Sequence, residues 1–395
     1  MENFVFCVPT KYVFGQGVSS QVGSLIKSYC YKRVLIVTGN HAVKSGLLKA
    51  VGLQLDEADI EYKVISGVKP NPRADLVYSG IELGRNMGAD FILAIGGGSA
   101  IDTAKAIALG IPDEGDFFDF YLKKRKPLKA LKTGCVLTIP AAGSESSSSS
   151  VIEKEIDGRI IKNGCGTELN RPLFAVLDPE LTYSVDKYQT ACGVTDMMAH
   201  IMERYFTNTQ NVSVTDNLCE GLLRSIIENA QIVLDDPQNY DARANLMWAG
   251  SLAHNNICGV DREQDWASHH LEHQLSALYD VAHGAGLAVI FPAWMEYVYR
   301  HNVMRFAQFA VRVFFAQMDF DDPAVTAREG IARLRAFFRK IGMPLSFSEI
   351  GARKEDIPIL LSMLGVDDEN NSEGHFVTLY KNDCEQIYLN AVRYS

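Results

Sequence analysis

Between Arg33 and Ile139, short β-branched apolar runs alternate with stretches of helical spacing, and no other feature limits the fold as strongly. Arg33 to Thr38 reads as a strand closing on Gly39, Val43 to Leu55 as a helix, and Tyr62 to Ile65 as a second short strand. Asp75 to Met87 has helical spacing, Phe91 to Ile95 is a strand running into three glycines, and Asp102 to Ala108 is helical again. Cys135 to Ile139 is a further strand, stopped by Pro140. Strands that alternate with helices are joined by crossovers, which predicts a parallel, doubly wound sheet.

From Asp186 onward the period changes. Apolar residues recur three and four apart at Cys192, Val194, Met198, Ile201, Met202 and Tyr205, and similar patterns fill most of the chain up to Phe320. That is the signature of a helix-rich region. A chain of 395 residues exceeds one simple core, so two domains are expected. The boundary falls at the turn signal Asp178-Pro179, giving an α/β domain over residues 1–179 and an all-α domain over residues 180–395. Ser146 to Ser150 is the single low-complexity patch. Near the N-terminus, Phe4, Phe6 and Val8 and then Tyr12 and Phe14 alternate with polar residues, which suggests a strand pair that covers its own sheet or joins a second subunit.

Composition excludes several functions. The net charge of -10 repels phosphate backbones and anionic lipids, so no nucleic acid and no membrane is expected as a partner. The one basic run, Lys123 to Lys126, reads as a solvated loop. The eight cysteines are widely and irregularly spaced with no Cys-x-x-Cys pair, which fits free thiols in a reducing cytoplasm. No signal peptide is apparent after Met1, and no stretch is long and apolar enough to span a bilayer.

Two constellations carry chemistry. In the first, the strand Phe91 to Ile95 meets Gly96, Gly97, Gly98 and Ser99 before a helix carrying Asp102 and Lys105. Glycines let the backbone approach a ligand closely, and the helix start offers unpaired N–H groups to an anion such as a pyrophosphate. A tight turn without a ligand is the competing reading. The earlier strand ends at Gly39 and Asn40 rather than in a G-x-G-x-x-G loop. No carboxylate stands there to repel a ribose 2′-phosphate, which favours NADP with NAD as the alternative.

In the second constellation, Asp196 and His200 are four apart and project from one helix face. His269, His270, His273 and His283 place four of the nine histidines in one short segment, with His269 and His273 again four apart. A carboxylate with several imidazoles is a divalent metal set, although spacing alone does not select which of the six side chains take part.

At this point the motifs are recognisable. Gly96 through Lys105, Thr138 through Glu145, Asp178 through Thr182, Asp196 with His200, and Trp266 through Pro292 resemble the iron-containing (group III) alcohol dehydrogenase family. Within it they are similar to the butanol dehydrogenase-like, NADPH-dependent aldehyde reductase branch. The resemblance implies a Rossmann-like parallel-sheet N-terminal domain and an all-α C-terminal domain, the dehydroquinate synthase-like architecture, with the active site in the cleft between them. It implies the metal ligands Asp196, His200, His269 and His283, holding iron or zinc, and places His273 near the substrate as a proton relay. It implies that Gly96 to Ser99 and Asp102 form the pyrophosphate loop, with Thr138 on the adenosine side and Ser147 and Lys162 near the nicotinamide. Hydride transfer between NAD(P)H and short-to-medium-chain primary alcohols or aldehydes follows, in a homodimer that exchanges its N-terminal strands. Two residues depart from the pattern: Gly39-Asn40-His41-Ala42 lacks a Gly-Gly-Gly-Ser form, and Ser147 stands where relatives often carry Asn. A lyase of the same architecture and a non-catalytic dinucleotide-binding protein are the alternatives; the lyase needs a basic pocket that the C-terminal helices do not show.

Overall fold

The computed structural model describes residues 1–393. Eight strands lie among the described residues: β1 (Lys11–Phe14), β2 (Arg33–Gly39), β3 (Glu61–Val68), β4 (Phe91–Gly96), β5 (Lys132–Leu137), β6 (Ser149–Ile156), β7 (Arg159–Gly166) and β8 (Phe174–Leu177). Six of them form one sheet in the order β1-β8-β5-β4-β2-β3, with every neighbouring pair parallel. Successive side chains leave a strand on opposite faces. Leu35 and Val37 therefore enter one apolar cluster while Val34 and Ile36 enter another. Burial on both faces is why these strands read as continuous apolar runs.

The β6–β7 hairpin was not foreseen from the sequence. Its strands pair antiparallel around Asp157 and Gly158, both with positive φ, the turn chemistry that closes a two-residue hairpin. The Ser146–Ser150 run leads into β6 and is not a linker: Ser146, Ser147 and Ser150 are buried.

The chain divides into two compact units. One comprises Cys7–Val185 with Gln238–Asn255; the other comprises Met1–Phe6, Asp186–Pro237 and the described chain from Asn256 on. The Tyr240–His254 helix thus joins the sheet unit, where Met247 enters the apolar core and Trp248 meets the Tyr12 ring edge-on at 5.1 Å. Its apolar spacing is like that of the helices around it in sequence, so periodicity could not separate it. The other unit is built of helices, among them Lys187–Tyr205, Ser213–Asp235, Ala267–Tyr279 and His283–Val298.

The expected N-terminal strand pair is corrected. Only Lys11–Phe14 is a strand, and it lies along β8. Pro9 has no N–H to give a ladder, and residues 1 and 2 are tied to the helical unit instead, by the terminal ammonium on Gln210 O and Glu2 N–H on Asp261 O. Among the described residues, no helix is long and apolar enough to cross a membrane.

Candidate metal centre and dinucleotide loop

The helical unit gathers the metal-type residues. Asp186 caps the Lys187–Tyr205 helix by accepting the Gln189 N–H at 2.7 Å, and the helix is buried from Thr190 to Tyr205. That burial turns Asp196 and His200 inward on one face, with Asp196 Oδ1 3.1 Å from His200 Nδ1. The Ala267–Tyr279 helix brings His269 to them, its ring centre 4.8 Å from that of His200. His283 opens the next helix and points Nε2 at Asp196 Oδ1, 3.8 Å away. The donor atoms of Asp196, His200 and His269 lie within 4.8 Å of one another. His273 belongs to a neighbouring group with Glu272 and His283, its ring centre 5.4 Å from that of His283. His270 turns away to Glu373 and is half exposed.

Two carboxylates missed by the sequence reading hold the imidazoles. Glu203 accepts from His269 Nδ1 at 2.7 Å and from the backbone N–H groups of His269 and Trp266. Glu272 accepts from His283 Nδ1 and from the Ser276 hydroxyl. A partner on Nδ1 fixes the tautomer and leaves Nε2 as a free lone pair for an ion. The spacing offered a partial signal: Glu203 follows His200 by three residues and Glu272 follows His269 by three, each sharing a helix face with a metal-type histidine but not with the imidazole it holds.

The electrostatics suit a cation. Burial works to raise the Asp196 carboxyl, but the facing rings of His200, then His283 and His269, hold it well below the usual carboxylate range. Burial, with His200 and His283 adding to it, pushes His269 well below an ordinary imidazole, so it is a neutral donor. Burial lifts Glu203 to about 7. Among the described residues, the buried atoms His269 Nε2 and Asp196 Oδ1 have no hydrogen-bond partner. Buried polar atoms are normally satisfied. A divalent ion among one carboxylate and three imidazoles satisfies both, so the residues fit the group.

The sheet unit carries the glycine loop. β4 ends at Gly96, and the Gly98–Gly110 helix starts two residues on, so its N-terminal N–H groups face outward at the strand's carboxyl end. A Cβ at Gly97 would press on Ile139 at 3.3 Å, and one at Gly98 on Ala142 at 3.3 Å. Ser99 is half-buried, and Thr138 is buried with its N–H on Gly96 O at 3.0 Å. Asp102 Oδ2 accepts the Val151 N–H at 2.9 Å, and Ser147 Oγ receives Lys105 Nζ at 3.2 Å. Lys162, which alone reads as a surface lysine, is buried on β7 with Nζ on Asn71 Oδ1 at 3.0 Å. Gly39 ends β2 and Asn40 starts a short helix, with His41 Nε2 3.1 Å from the Ser184 hydroxyl.

A doubly wound sheet with a glycine loop, in one chain with a helical unit that gathers a carboxylate and three imidazoles, defines a metal-dependent dehydrogenase. The chain belongs to the iron-containing alcohol dehydrogenase family: that family, "Iron-containing alcohol dehydrogenase", matches residues 9–179, and "Fe-containing alcohol dehydrogenase family, C-terminal" matches residues 190–392. It is 38% identical to a probable NADH-dependent butanol dehydrogenase 1 of Bacillus subtilis, over 98% of this chain and 99% of the relative. It is 36% identical to the NADPH-dependent aldehyde reductase YqhD of Escherichia coli, over 92% of this chain and 93% of the relative. The crystal structure of NADH-dependent butanol dehydrogenase A from Thermotoga maritima superposes with a TM-score of 0.95 at 35% identity, covering 100% of this chain and 99% of that one.

Proposed function

We propose that this protein interconverts short-to-medium-chain primary alcohols and aldehydes, exchanging a hydride with a nicotinamide dinucleotide, around one iron or zinc ion on Asp196, His200, His269 and His283. One observation carries this reading. His269 Nε2 and Asp196 Oδ1 are buried without hydrogen-bond partners, while His269 and His283 are held by carboxylates on their other nitrogens. Relatives named as butanol dehydrogenases and as an aldehyde reductase support the substrate class.

A divalent ion there supplies Lewis acidity to an alcohol or carbonyl oxygen, and the dinucleotide supplies or accepts the hydride. The chain's own residues do the rest. Asp196 brings one negative charge and the imidazoles bring none, so the centre stays net positive. Glu203 and Glu272 keep His269 and His283 in the binding tautomer. His273, beside His283, takes up and releases the alcohol proton at its ring.

Gly96, Gly97, Gly98 and Ser99 receive the pyrophosphate at the helix start. Asp102, Thr138, Ser147 and Lys162 complete the dinucleotide side. Gly39 and Asn40 present no carboxylate at the end of β2, so NADPH is accepted, with NADH as the alternative. The relatives include both NADH- and NADPH-dependent enzymes. We further propose a homodimer formed through the N-terminal segment.

The test pairs metal analysis with NADPH and NADH consumption on butanal. His269→Ala or His283→Ala is expected to lower bound metal and to cut turnover at least a hundredfold. His273→Ala is expected to slow turnover with metal retained. Full activity in either of the first two variants refutes the ligand assignment.

A further inference from the structure

Lys105 is among the buried charges that the reaction leaves unused. Lys105 is fully buried on the Gly98–Gly110 helix, and all three of its ammonium donors are placed. Nζ donates to Ser147 O at 3.1 Å, Ser147 Oγ at 3.2 Å and Ser149 O at 2.7 Å. Asp102, three residues earlier on the same face, takes the Val151 N–H. One helix face therefore grips residues 147–151 with a cation and an anion. Other residues brace the serine run, Arg171 on Ser146 O at 2.6 Å and Asn170 on Ser148 O at 3.3 Å. Lys105 and Asp102 differ in their position: they sit on the helix whose first residue, Gly98, lies where an added Cβ would meet Ala142 and Ser144.

An alkyl side chain would fill the same space without desolvating a charge, so the burial of an ammonium calls for a role in ordering the backbone it binds. We propose that Lys105 is a positioning residue for the dinucleotide, its ammonium locking the Ser147–Ser149 backbone to the glycine-loop helix so that the anion site is preformed. The gain is preorganisation, since ordering is completed before the ligand arrives. The inference rests on the reading that the Gly96–Ser99 loop takes the pyrophosphate.

The grip depends on the proton. Burial lowers Lys105 to about 8, while Asp102 on its own helix, Cys135 on β5 and Glu145 before β6 work to keep it charged and Arg171 before β8 opposes them. Loss of the proton removes one of three donors and the charge that strengthens the others. Dinucleotide affinity therefore falls as pH rises through this range.

The experiment is fluorescence titration of NADPH and NADH onto the full metal-loaded chain between pH 7 and pH 10. For the wild type, Kd is expected to weaken at least fivefold across the range. Lys105→Met is expected to bind about tenfold more weakly at pH 7 and to show no alkaline change, with the dinucleotide KM rising while kcat at saturation stays put. Lys105→Arg keeps its charge, so it retains binding at pH 7 and also loses the alkaline change. Lys105→Met that binds like the wild type, with the same pH profile, overturns the proposal. So does a wild-type Kd constant over the range, a result that stands even if neither variant folds. A wild type that binds neither dinucleotide overturns the cofactor reading itself, and is told apart by that.

Discussion

At the residue scale, two imidazoles of the centre have two faces with different jobs. His283 offers Nε2 towards Asp196 and gives Nδ1 to Glu272, and His269 divides its nitrogens in the same way with Glu203. Glu272→Gln keeps the size of the side chain but removes its charge. Such partners of metal-binding histidines contribute about 10–100-fold to affinity. Glu272→Gln is therefore expected to lose metal to a chelator at concentrations about tenfold lower than the wild type, measured as metal content after dialysis. Unchanged retention would mean that Glu272 serves only Ser276. The sequence supplied the types and spacing of Asp196, His200, His269 and His283 but marked Glu203 and Glu272 only by a three-residue offset from a histidine. An acidic residue three places from a histidine reads equally well as solvated helix surface, and only its burial shows otherwise.

At the element scale, the centre depends on how closely the Lys187–Tyr205 and His283–Val298 helices approach. Gly284 makes that approach possible, because a Cβ there would run into the Cys192 carbonyl. The obstruction is backbone rather than the end of a flexible side chain, so one helix has to shift. Overpacking of this kind costs about 1–3 kcal/mol. Gly284→Ala is expected to lower the thermal midpoint and also to weaken metal retention, because His283 is the adjacent residue. A variant that melts lower yet holds metal normally would show that the helix moves without carrying His283 away. Elsewhere the elements matched their signals: the short apolar runs became β2, β3, β4 and β5. The β6–β7 hairpin escaped because serines rather than branched residues open it, although Asp157-Gly158 was a legible turn.

At the scale of the whole molecule, the sheet ends in β1, an edge strand with one neighbour, and Phe4, Val5 and Phe6 are exposed beside its start in the sequence. Open edges and exposed apolar segments are normally covered. Sedimentation at micromolar concentration is expected to give twice the chain mass of 43.7 kDa, and Phe4→Lys with Val5→Lys to give the single chain. A wild type that sediments as one chain would remove the dimer. The sequence by itself determined the parallel sheet, the glycine turn and the metal-type residues, because each is a local pattern: a period, a conformational freedom, an i, i+4 spacing. Only the tertiary structure decided that the Tyr240–His254 helix packs with the sheet, that Lys162 and the serine run are buried, and that Glu203 and Glu272 hold the imidazoles. Those outcomes depend on contacts between residues far apart in the chain. A side chain's burial and its choice of partner are fixed by what packs against it, which no local pattern records.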